Sequence, residues 1–176
     1  FTSYRLPNFV DPLDYNQLLY DYYISGDFNS DGDYLFFYNY DFSIVNSFNR
    51  ILHKEDFTTG TITQVGNITG IPNTSNYAYH FGMAVDNVNG NLYTLVFDYD
   101  GIWSNSVSYI YKIDLNSFTY TLVSQINNPT PGYCLTLAYN NTDNSLYTIL
   151  YGEVTNNCTL LRVNPSTGVT TTVSSN

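Results

Sequence analysis

The chain has 176 residues and a net charge of −10 at pH 7; only 11% of it is charged, while aromatics reach 18% with 19 Tyr and 11 Phe. Many aromatics with few charges exclude a disordered chain, and the scarcity of Ala, Glu, Lys and Arg excludes coiled coils and long helical bundles. With 15 acids against 5 bases and no basic patch, the chain repels polyanions, so no nucleic-acid partner is expected.

Residues 1–20, FTSYRLPNFVDPLDYNQLLY, hold Pro7 and Pro12 and match nothing later in the chain. They read as an N-terminal arm, with a strand around Phe1 to Leu6 suited to pairing with a neighbouring sheet or another molecule. The remainder, 21–176, divides into three repeats at about 21–70, 77–127 and 132–175. Each opens on an apolar stretch: DYYISGDF from Asp21, YHFGMAVD from Tyr79 and YCLTLAYN from Tyr133. A polar turn and a second strand follow, as DGDYLFFY from Asp31, NGNLYTLV from Asn89 and DNSLYTIL from Asp143.

The second half of each repeat is RILHKEDFTTGTITQV from Arg50, SYIYKIDLNSFTYTLV from Ser108 and TLLRVNPSTGVTTTV from Thr159. These align on a turn. Lys54, Lys112 and Arg162 share one position; Asp56, Asp114 and Asn164 share another two residues later; Gly60, Phe118 and Gly168 close the turn. The pattern predicts a hairpin in which Asp or Asn accepts from the turn backbone and the closing residue takes a positive φ. The aligned cations read as solvated strand positions making weak surface ion pairs.

Each repeat therefore carries four antiparallel strands, the first lining a crowded axis. Gly26, Gly82, Met83, Ala84 and Ala138 are small or slender enough for that place. On GMAVDNVNGNLYTLV and YIYKIDLNSFTYTLV the chain resembles secreted β-propeller repeats of the YVTN/NHL/quinoprotein-like kind, over roughly residues 21–175. The resemblance implies an all-β fold of three four-stranded antiparallel propeller-like blades. Closed propellers usually have about four to eight blades. Three are left incomplete, to be finished by copies of this chain or by flanking blades of a longer protein, or else folded as an open stack sealed by its ends or as a sandwich of hairpins.

The candidate sites are few. Asp27, Asn29, Asp31 and Asp33, in DFNSDGD, follow the D-x-[DN]-x-D-G spacing of a calcium loop, with Gly32 permitting the tight turn. Calcium is the one cofactor the sequence suggests; Tyr38 stands where an EF-hand needs its Glu, and a plain polar turn is the competing reading. Cys134 and Cys158 are read as a disulfide inside the third repeat. They start strands two apart in one sheet, about 9.6 Å, so the bond requires the intervening strand to be short or displaced; free thiols or an intermolecular bond are the alternative. Asn67, Asn73, Asn140 and Asn157 begin N-x-S/T sequons that permit glycosylation. His53 and His80 have no ligand spacing, and Asp98 with Asp100 read as loop caps rather than a glycosidase pair.

No nucleophile elbow, zinc helix or phosphate loop appears, so the chain is expected not to be an enzyme. Low Lys, abundant Asn, Thr and Tyr, and an even cysteine count indicate an extracellular protein, and no apolar run approaches the roughly 20 residues of a membrane span. The chain begins at Phe1 with no visible signal peptide, as a processed or fragmentary chain would. Together these give an extracellular structural or adhesive module that self-assembles through strand edges and the N-terminal arm. The alternative is a ligand-binding propeller domain, lectin-like with Trp103 and Tyr stacking on glycans, or calcium-dependent.

Overall fold

The computed structural model describes residues 22–39, 50–56, 58–68, 77–99, 106–127 and 132–175. The N-terminal arm, Asn73, Asp100 and Trp103 lie outside them. Among the described residues the chain is all β, with twelve strands in three four-stranded antiparallel sheets. The first sheet is β1 (Tyr22–Phe28), β2 (Tyr34–Asn39), β3 (Arg50–Asp56) and β4 (Thr61–Asn67). The second is β5 (Tyr77–Asp86), β6 (Asn91–Tyr99), β7 (Val107–Asp114) and β8 (Thr119–Asn127). The third is β9 (Gly132–Asn140), β10 (Ser145–Gly152), β11 (Asn157–Val163) and β12 (Thr170–Ser175). Every sheet pairs its strands in chain order, as a meander does.

The turns form as their residues dictate. Asp56 Oδ1 accepts from the backbone N–H groups of Thr58 and Thr59, Asp114 Oδ1 from Asn116 and Ser117, and Asn164 Oδ1 from Ser166 and Thr167. The closing residues all have positive φ: 67° at Gly60, 54° at Phe118 and 71° at Gly168. Phe118 stands out, because a side chain in this region normally costs about 1–2 kcal/mol. The first hairpin of each sheet follows the same logic, with Asn29, Asp86 and Asn140 capping their turns through Oδ1.

Irregularities recur as faithfully as the turns. The β3–β4 ladder shifts register between Leu52 and His53, β7–β8 between Ile110 and Tyr111, and β11–β12 between Leu160 and Leu161, one repeat position in all three sheets. A bulge increases local twist, so each sheet acquires the same curvature at the same place.

The sheets stack through their first strands, β1 beside β5 and β5 beside β9. Close approach needs small side chains there. A β-carbon at Gly82 would lie 2.6 Å from the backbone nitrogen of Leu137, and Ala84 is fully buried. Two apolar clusters fill the spaces between sheets. Leu35, Leu52 and Ile68 meet Met83, Val85, Leu92 and Ile113 across the first interface. Ala84, Tyr93, Leu95 and Ile110 meet Cys134, Leu137, Leu146, Leu161 and Val163 across the second. Polar contacts pin both: Asp27 Oδ2 accepts from the Val85 N–H at 2.8 Å, and Ser106 Oγ donates to the Gly132 carbonyl at 2.9 Å.

Candidate functional site

Alternation along β6 gives the second sheet two different faces. Leu92, Thr94 and Val96 look toward the first sheet, whereas Tyr93, Leu95 and Phe97 look toward the third. The same alternation along β10 buries Leu146 and Thr148 against the second sheet and turns Tyr147, Ile149 and Tyr151 outward. On β11, Leu161 and Val163 point inward, and Cys158, Leu160 and Arg162 pair across from the outward row of β10. The outward face is apolar and only partly covered: Ile149 and Leu160 are half-buried, and Leu135 of β9 is 41% exposed.

A second feature lies at the turn end of the sheets, between the second and third. It is a cleft of about 460 Å³ lined by Asp86, Asn89, Asn91, Tyr93, Tyr139, Asp143, Asn144, Asn164 and Ser166, among others. Tyr93 and Tyr139 stack across the interface, ring centres 5.8 Å apart and planes within 7°. Burial would raise the Asp86 carboxyl, but hydrogen bonds from Asn89, Asn91 and Val88 outweigh it and hold Asp86 below the ordinary carboxylate value. Burial, reinforced by Tyr139 and Asp86, pushes the Tyr93 phenol up to about 12. Asp143 accepts from the Tyr147 hydroxyl at 2.5 Å and lies 3.8 Å from Arg162 Nε, while its Oδ1 is buried without a hydrogen-bond partner. In the sequence these segments carry only the marks of polar hairpin turns, and Asp86 followed by Asn89 and Asn91 is the one cue to the cleft.

In the DFNSDGD turn three of the four candidate side chains already have partners: Asp27 Oδ1 accepts from the Phe28 N–H and Oδ2 from Val85, Asn29 Oδ1 from the Asp31 and Asp33 N–H groups, and Asp33 pairs with Lys54 Nζ at 2.9 Å. Among the described residues no group of three or more His, Cys, Asp or Glu is placed to hold a metal ion. Lys54 thus pairs across the strands with Asp33 rather than with the turn Asp56, and Arg162 Nε donates to Ser145 Oγ at 2.9 Å.

The disulfide reading is corrected: Cys134 and Cys158 are both free thiols, the first buried and the second exposed. β10 runs between them at full length, Leu150 opposite Cys134 and Tyr151 opposite Cys158, so the thiols leave opposite faces of the sheet. Burial, opposed by hydrogen bonds with Ser108 and Thr148, raises the Cys134 thiol above its ordinary value. Of the sequon residues, Asn67, Asn140 and Asn157 are exposed, although Asn140 also caps its turn. Asp98 is buried at 8% exposure.

No protein-family model matches the chain, and no curated protein matches it. Among solved structures it is similar to dipeptidyl peptidase 4 of Porphyromonas gingivalis, at 13% identity with a TM-score of 0.54, over 86% of this chain and 25% of that one. It also matches a luciferin-regenerating enzyme at 11% identity and a TM-score of 0.44, covering 86% of this chain and 44% of the other. An oligogalacturonate lyase in complex with manganese gives 11% identity and a TM-score of 0.41, covering 89% and 54%. The chain thus spans about a quarter of the peptidase and about half of the lyase. The likeness to the peptidase concerns fold alone and agrees with a propeller-type array of blades.

The expectation that the chain is not an enzyme is withdrawn, since the solved structure that shares its fold at a TM-score of 0.54 is a peptidase, a likeness that concerns the fold alone. The missing short motif was a poor discriminator. A repeat fold carries its chemistry on loops from several blades, far apart in sequence, and blade architecture by itself hosts many functions.

Proposed function

We propose that the chain is an extracellular structural or adhesive module of the YVTN/NHL/quinoprotein-like blade type, which works by joining copies of itself. The observation that carries this reading is that, among the described residues, the stack of sheets is open at its third sheet. The outermost strand β12 is exposed along all of Thr170–Ser175, and the far face of the third sheet has no fourth sheet against it among the described residues. Open strand edges and uncovered apolar sheet faces are the usual routes by which β proteins associate. Size-exclusion chromatography with light scattering tests it: the expected particle is a multiple of 20.0 kDa, and a monomer at every concentration overturns it.

A second reading, a ligand-binding propeller domain, is favoured by the cleft between the second and third sheets, with its tyrosine stack and the partnerless Asp143 Oδ1. A polar glycan or calcium seated there raises the melting temperature with concentration. No shift with either overturns that reading.

A further inference from the structure

The outward face of the third sheet repeats, position for position, the apolar and aromatic character of the face of the second sheet that is already buried in an interface. Aligned by repeat, Tyr93, Leu95 and Phe97 of β6 correspond to Tyr147, Ile149 and Tyr151 of β10, and Ile110 of β7 to Leu160 of β11. The first set is sealed under the third sheet at 4%, 0%, 2% and 0% exposure, whereas none of the second set is buried. The chemistry of a sheet–sheet interface is therefore present on a surface that has no sheet upon it among the described residues.

The outer hairpin turns carry a second, independent sign of the same thing. The β7–β8 turn reaches back over β4, placing the Phe118 ring on Gly66 beside Val65. At the same repeat position the β11–β12 turn reaches back over β8, where Gly168 sits on Val123 and its carbonyl accepts from Ser124 Oγ at 2.8 Å. The corresponding receiving residues on β12 are Val173 and Ser174. Val65 and Val123 are half-buried beneath the turns that reach them, but Val173 is 52% exposed, with no turn above it among the described residues. Among the described residues, both the apolar face and the seat for the turn are thus built and left without a partner.

We propose that this face docks the first sheet of a second copy of the chain, an inference that rests on the self-assembly reading above and specifies its surface. The three described sheets make six in a pair, within the roughly four to eight over which propellers close. A head-to-tail contact made twice around a two-fold axis leaves no open face. The contact is by sheet faces, with the partner's outer turn seated on Val173 and Ser174, and not by edge pairing along β12.

The test uses the full chain. Light scattering is expected to give twice the 20.0 kDa monomer mass for the wild type and the monomer for Ile149→Arg, with unchanged circular dichroism. Leu122→Arg, at a site 53% exposed on β8, is expected to leave the dimer intact. Cys158 provides a readout that needs no substitution. It lies on the proposed face, so its maleimide labelling is expected to slow at least tenfold as the dimer forms, while buried Cys134 stays unlabelled throughout. A dimer that survives Ile149→Arg and labels at Cys158 at the monomer's rate overturns this face and leaves self-assembly standing. A wild-type monomer at all concentrations overturns both. If Ile149→Arg fails to fold, the concentration dependence of Cys158 labelling alone decides.

Discussion

The ring of Phe118 lies over the backbone of Gly66, so close that a β-carbon at Gly66 would stand 2.5 Å from two ring carbons. Phe118 holds this ring in place from a left-handed backbone, φ 54°, where its repeat equivalents are both glycine. The strained turn and the missing side chain are two halves of one joint between the first and second sheets. Gly66→Ala is expected to destabilise by about 1 kcal/mol, the low end for overpacking because a ring can tilt. Phe118→Ala loses the contact and keeps the strain, so Phe118→Gly is expected to be about 1 kcal/mol more stable than Phe118→Ala. Urea unfolding of the three variants and of Gly66→Ala/Phe118→Gly checks this; in the double variant the cost of the alanine should vanish.

The corresponding joint between the second and third sheets uses a hydrogen bond instead of a ring. Ser124→Ala removes the bond to the Gly168 carbonyl and is expected to cost about 1 kcal/mol. Gly168→Ala meets the Val123 carbonyl oxygen and a φ of 71° together, so it is expected to cost clearly more than Ser124→Ala. Equal urea midpoints for the two variants would refute that description of the joint.

At the inner strands the obstacle is backbone, which cannot tilt aside. Gly82→Ala puts a carbon 2.6 Å from the Leu137 nitrogen and 2.9 Å from its β-carbon. Separating β5 from β9 to admit it disturbs the cluster of Ala84, Leu95 and Leu137, and the expected loss is about 2–3 kcal/mol. A melting temperature within a degree of wild type would show that the axis is looser than described.

How far this was legible in the sequence depends on the kind of interaction. Turn chemistry is local, so Asp56, Asp114 and Asn164 could be read as caps from their spacing, and the structure gives all three the same pair of backbone donors. The small residues of the inner strands were readable too, since crowding at an axis leaves a compositional trace at Gly82 and Ala84. The Phe118–Gly66 joint was not, because the departure from glycine at 118 makes sense only beside a glycine 52 residues earlier in another sheet. The cysteines failed for a related reason. An even count suggested a bond, but the parity of β9 and β11 sends Cys134 and Cys158 to opposite faces. The cleft between the second and third sheets combines turns from separate repeats, so the spacing of Asp86, Asn89 and Asn91 within one repeat marks only half of it.

Acid should weaken the turns together. Asp56 and Asp114 are held below the ordinary carboxylate value chiefly by backbone N–H donors from Thr58 and Thr59 and from Ser117 and Asn116. Asp86 is held down by donors that outweigh its burial. Groups with a depressed folded pKa contribute stability that is complete above the unfolded carboxylate value near 4 and is lost as pH falls through the folded one. The expected result is a flat urea midpoint from pH 7 to about 5, falling below about pH 4. Asp56→Asn keeps the cap and should flatten part of that fall; an unchanged profile would remove Asp56 from the account.

Alkali should act at the stacked tyrosines, with the opposite sign. The Tyr93 phenol is raised to about 12 by burial, then by Tyr139 and Asp86, and Tyr139 is raised chiefly by its own burial. Their neutral forms are favoured by folding, so this stability is complete below the unfolded phenol value near 10 and is lost as pH rises from there through the folded values. Denaturation between about pH 10 and 12 should therefore release phenolate absorbance at 295 nm cooperatively with unfolding rather than as a free titration. Tyr93→Phe removes the ionisable group while keeping the ring stacked on Tyr139 at 5.8 Å. It is expected to move the alkaline midpoint upward and to leave the acid limb where it was. A Tyr93→Phe chain that unfolds in alkali at the wild-type pH would place the sensitivity elsewhere, in Tyr133 or Tyr147, whose phenols are also raised.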